Sequence, residues 1–122
     1  MACEVVWEGR GVYRRFFGST SAAEIMRSVI EVESDDRFDN IRYVINDLQD
    51  CADIAVDLRA IEEVAAYDHA AALSNPRIRI AVVADRHEVR ALVDGYLNAG
   101  LSTYPVRMFA RLDEARLWLG EA

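Results

Sequence analysis

The chain is predicted to form a single α/β domain over residues 1–122, built on a mixed, mostly parallel sheet of about five strands with about four helices. Three observations predict it. Apolar runs of strand length alternate with segments of helical spacing in the order β-β-α-β-α-β-α-β-α, the pattern of right-handed crossovers onto a largely parallel sheet. A length of 122 residues is enough for one core and too short for two. A hydrophobic content of 52 % beside 29 % charged residues is that of a folded globular chain.

The elements follow in order. Glu4 to Glu8 and Gly11 to Phe17 are two β-type runs around a glycine-flanked turn, a hairpin that makes the first strand antiparallel. Ser21 and Glu24 have capping-box spacing, and Ile25, Met26, Val29 and Ile30 continue one helical face towards Glu33. Ile41 to Ile45 reads as a strand covered on both faces. It empties into an acidic loop, Asn46 to Asp57, and Leu58, Ile61, Val64 and Ala65 then repeat at helical spacing until Asn75 and Pro76. The strand Ile78 to Ala84 is the most apolar and is expected at the centre of the sheet.

A second capping-box-like start, Asp85 to Glu88, leads into Val89, Leu92, Val93, Tyr96 and Leu97, with Gly100 as the stop. Pro105 to Ala110 is a last short strand, and the proline fits either a strand beginning or an edge. Leu112, Ala115, Trp118 and Leu119 form the apolar stripe of a final helix, with Arg111 where a stronger cap such as Ser, Thr or Asp would be usual.

Composition removes several functions. Net charge is −7, and between Asn46 and Asp68 seven acids face Arg59 alone, a surface that repels phosphate backbones and anionic membranes. All fourteen basic residues are arginine, so no lysine nucleophile exists. No apolar run reaches the roughly 18–20 residues of a membrane span. The first residues lack a signal-peptide pattern, so a cytoplasmic protein with reduced Cys3 and Cys51 is expected.

Ligands of open α/β sheets sit beyond the carboxyl ends of the strands. That edge is expected to gather Asn46, Asp47, Asp50, Cys51, Asp85, Arg86, His87 and Arg111, the candidate ligand- or partner-binding residues. The aspartates lack the alternating oxygen ligands and central glycine of a calcium loop, and the His and Cys residues are scattered rather than clustered for zinc. No metal and no cofactor is therefore expected. Asp57 reads as a helix cap, and Asp47, Asp50 and Asp53 as solvated loop acids. A thiol enzyme pairing Cys51 with His87 is the weakest reading, because neighbouring carboxylates raise rather than lower a thiol pKa. Arg86 and Arg111, near helix starts, could meet an anion.

Three phrases, "YVINDLQD", "AAYDHAAALSNPRIRIAVVAD" and "VRMFARLDEARLWL", resemble the STAS-like domains of the sporulation stage II AA-like group, relatives of anti-sigma-factor antagonists. The resemblance spans about Val5 to Leu119 and implies a bacterial, non-enzymatic regulatory module that contacts a protein partner or a second copy of itself. Such antagonists carry a phosphoacceptor Ser or Thr after this strand, whereas here no Ser or Thr occurs from Asp35 through Leu73. The fold group also resembles Sec14-type (CRAL-TRIO) lipid-binding domains. That likeness implies the alternative of a binding module for a small apolar or anionic ligand at the carboxyl edge of the sheet.

Overall fold

The computed structural model describes residues 3–101 and 104–120. Five strands form one sheet in the order β1-β2-β3-β4-β5: β1 (Cys3–Trp7), β2 (Gly11–Ser21), β3 (Tyr43–Ala55), β4 (Arg79–Val83) and β5 (Val106–Phe109). β1 pairs antiparallel with β2, and every later pair is parallel. The helices are α1 (Ala22–Glu33), α2 (Leu58–Ala71), α3 (His87–Asn98) and α4 (Leu112–Leu119), with a short 3-10 turn at Asp36–Asn40. The expected element order and hairpin hold, and β5 lies at an edge of the sheet. None of the helices, among the described residues, is long and apolar enough to cross a membrane.

The caps explain several boundaries. Ser21 and Glu24 close a reciprocal capping box on α1. Asp57 Oδ1 accepts from the Ala60 N–H at 2.9 Å and starts α2. Asn75, 2 % exposed, ends the turn after α2 by donating from Nδ2 to the carbonyls of Phe38 and Ile41. Gly100 follows α3 in the left-handed region at φ +71°, where a Cβ would be strained.

Three expectations are corrected. The acidic segment after Ile45 is not a loop, because β3 runs on to Ala55 in register with β2. Cross-strand partners such as Arg15 for Asp50 and Ser19 for Asp53 offset the poor strand propensity of aspartate. The centre of the sheet is β3 rather than the Ile78–Ala84 strand, since β5 adds only one strand beyond it. No capping box starts α3, whose N-cap is Arg86 without a side-chain cap bond, and Arg111 stands in the same position for α4.

Period-two alternation sorts the strands into two faces. Val12, Phe16, Val44, Leu48, Ile80 and Val82 lie against α1, α2 and α3 in the larger core. Tyr43, Ile45, Ala81 and Val83 lie against Ala115 and Leu119 of α4 in a smaller one. β4 is shorter than β3 and pairs with it only from Tyr43 to Asp47. Beyond Asp47, β2 and β3 continue as a two-stranded ribbon, with register shifts and a left-handed Gly18 (φ +63°) in β2.

Candidate functional site

The strand order never reverses along the sheet, so the crevice that a reversal opens at the carboxyl edge does not arise. A concave feature lies instead inside the larger core, a chamber of about 120 Å³ between the sheet and helices α1 to α3. Its apolar wall is Phe16, Val44 and Val82 from the sheet with Val29, Val64 and Val93 from the three helices.

Polar groups interrupt that wall in one row. Arg14 of β2 and Asn46 of β3 are register partners, and both face the chamber. Arg14 is 7 % exposed; its Nε donates to Asn46 Oδ1 at 2.9 Å and its Nη1 to Ser28 Oγ of α1 at 3.1 Å. Burial pulls the guanidinium pKa below its ordinary value, and the charge of Asp68 opposes that shift. No carboxylate forms an ion pair with Arg14 among the described residues.

Across the chamber stand two acids. Tyr96 O–H donates to Asp68 Oδ2 at 2.6 Å. Glu33, also hydrogen-bonded to Asp68, has its carboxyl pushed up to about 9, first by burial, then by that bond and by the Asp68 charge. Burial and the neighbouring Asp68 carboxylate therefore both favour the protonated form of Glu33.

The eight candidate residues from the sequence scatter over this frame. Asn46 lines the chamber. Asp47 is not a solvated loop acid: it is 5 % exposed on the opposite face, accepting from Tyr13 O–H and from the Gln49 N–H. Asp50 is exposed and pairs with Arg15 at 2.9 Å. Cys51 is buried, with Sγ 3.3 Å from Thr20 Oγ1, and burial pushes its thiol pKa up. His87 is exposed at the start of α3, and no hydrogen bond joins it to Cys51 among the described residues.

Asp85 is exposed beside Arg86. Arg86 reaches the ribbon, donating to the carbonyls of Cys51 and Ala52, and pairs with Glu88. Arg111 is held by Asp113 at 2.7 Å on the α4 side. Among the described residues, no group of three or more His, Cys, Asp or Glu side chains is placed to hold a metal ion.

Sequence reasoning passed over Arg14, Glu33, Asp68 and Tyr96. The signal was present in their spacing. Arg14 stands between Val12 and Phe16 at strand period two, and Asp68 continues the helical stripe of Ile61, Val64 and Ala65. A charge at a core-facing position asks for a partner or a role.

A five-stranded sheet of this order with three helices on one face and one on the other defines the SpoIIAA-like α/β fold. The anti-sigma factor antagonist SpoIIAA in its unphosphorylated form is similar at a TM-score of 0.63 and 11 % identity, over 95 % of this chain and 94 % of that one. A Shewanella loihica PV-4 protein of the DUF3478 family, described as having a SpoIIAA-like fold, is similar at 0.56 and 12 % identity, over 97 % and 92 % of the two chains. Identities this low show the shared fold alone. No protein-family model and no curated protein matches the sequence.

Proposed function

We propose that the chain is a non-enzymatic STAS-like module that works by contact with a protein partner, and that the projecting β2–β3 ribbon with the adjoining start of α3 is the contact surface. One observation carries the reading. From Leu48 to Ala55, β3 has β2 on one side and no strand on the other, so part of its backbone is an open edge. Open strand edges recruit partner strands unless they are covered or charged. Arg86 occupies two of the edge carbonyls, those of Cys51 and Ala52. Exposed Asp50 and Asp53 mark the ribbon with negative charge, which favours a basic partner surface. The structural neighbour SpoIIAA is an anti-sigma factor antagonist, which supports a role exerted on another protein.

The test is site-specific photo-crosslinking in cells that express the protein. A probe at Asp53 should yield a discrete adduct with another protein, and a probe at exposed Leu117 of α4 should yield none. Equal labelling at both positions, or no adduct at Asp53, would remove the ribbon as the contact surface.

A further inference from the structure

We propose that the chamber between the sheet and helices α1 to α3 is a binding site for a small organic monoanion, a short-chain carboxylate whose head meets Arg14 Nη2 and whose hydrocarbon fills the apolar space.

Three observations converge on this class of ligand. First, Arg14 is a buried cation whose hydrogen-bond partners, Asn46 and Ser28, are both neutral, and it has no ion pair among the described residues. The Asp68 charge favours the Arg14 cation but makes no ion pair with it, and a buried charge held only by neutral partners is costly. Second, Nε and Nη1 are occupied while Nη2 makes no hydrogen bond. Among the described residues, no fully enclosed side-chain N or O lacks a partner, so Nη2 keeps accessible surface. The residue is only 7 % exposed and lines the chamber, so the chamber is the side from which a ligand could reach Nη2. Third, the resident acids are engaged elsewhere: Asp68 accepts from Tyr96 and is bonded to Glu33.

The rest of the wall selects among ligands. A purely apolar molecule would seal Arg14 away from water with Nη2 unpaired, and a cation would repel it. A dianion such as phosphate would bring a second charge into an apolar space near Asp68. One carboxylate neutralises Arg14 and adds a charge-assisted hydrogen bond. Size follows from volume: an apolar cavity of about 150 Å³ accepts the six carbons of benzene, so 120 Å³ suits about five non-hydrogen atoms, the hydrocarbon tail of hexanoate behind a carboxylate at the Arg14 wall.

The experiment is an NMR titration of the ¹⁵N-labelled chain with hexanoate and, separately, with 1-hexanol. Hexanoate should give saturable shifts at Arg14, Asn46 and Val93, and hexanol should bind about tenfold more weakly or worse, the worth of a hydrogen bond to a charged group. Arg14→Met should lose at least about tenfold in hexanoate affinity and bind hexanol no less tightly. Val93→Phe, which fills the chamber and leaves Arg14 in place, should lose both ligands. The wild-type comparison of acid with alcohol needs no variant to fold. Absence of saturable hexanoate shifts, equal affinity for acid and alcohol, or undiminished hexanoate binding in Arg14→Met would each overturn the proposal.

Discussion

On the α4 face of the sheet, Arg116 meets Glu8 with both guanidinium ends, at 3.0 and 2.8 Å, and Tyr43 adds its hydroxyl to the same carboxylate. Arg79 donates to the carbonyls of Trp118 and Leu119 at the end of α4 and lies over the Trp118 ring. On the α1–α3 face, Arg14 is more deeply buried than Arg116 and yet has only neutral partners. One face spends its arginines on holding the last helix and the hairpin in place. The other keeps a cation beside open space, an arrangement that stability alone does not favour. What a buried charge does for the fold thus depends on its partners as well as on its depth.

The largest predicted effect lies where the α4 face is tightest. A Cβ on Gly11 would fall 2.3 Å from the ring of its cross-strand partner Tyr43, which is 4 % exposed and has no room to retreat. Gly11→Ala should cost about 3 kcal/mol or more by urea denaturation. Gly9→Ala, with nothing within 4 Å of the new atom, should change stability by less than about 0.5 kcal/mol.

Adjacent residues of β4 give a sharper contrast, because Val82 lines the chamber and Val83, 0 % exposed, faces α4. The same added methyl should cost about 1–3 kcal/mol in Val83→Ile and be near neutral or stabilising in Val82→Ile. Equal costs would mean that the chamber is not real space.

The two faces should also respond oppositely to pH. Glu8 is held below the ordinary carboxylate value, first by its hydrogen bonds from Arg116. Its contribution is present above that ordinary value and is lost as pH falls through the folded pKa. Glu33 is shifted the other way, from 4.5 up to about 9. Between those values the unfolded chain has lost the Glu33 proton and the folded chain keeps it, so stability falls as pH rises and levels off above about 9. Glu33→Gln retains a donor for Asp68 and removes the titration. At pH 8 it should exceed the wild type by on the order of 1–2 kcal/mol, and the advantage should vanish near pH 4.

Much of this frame could be read from the sequence. Alternating periods placed the strands and helices, and Ser21, Asp57 and Gly100 marked helix ends by capping chemistry that acts within a few residues. The ribbon could not be read so, because aspartates have low strand propensity and what keeps Asp50 and Asp53 in β3 is pairing with Arg15 and Ser19, about 35 residues away. Ending the strand at Ile45 also hid the inward-facing position of Asn46. The chamber was harder still. Arg14 and Asp68 stood out only as charges at apolar positions of a strand and a helix, and nothing local says that α1, α2 and α3 leave space between them.

Arg14 serves a purpose other than stability, whereas Arg116 holds the fold. Urea denaturation of Arg14→Met and Arg116→Met, side by side at pH 7 without added ligand, separates the two roles. Arg116→Met should lose about 1–2 kcal/mol, since Glu8 keeps only Tyr43, while Arg14→Met should lose less than about 0.5 kcal/mol or gain stability. A loss in Arg14→Met equal to or greater than that in Arg116→Met would mean that Arg14, too, is there to hold the fold.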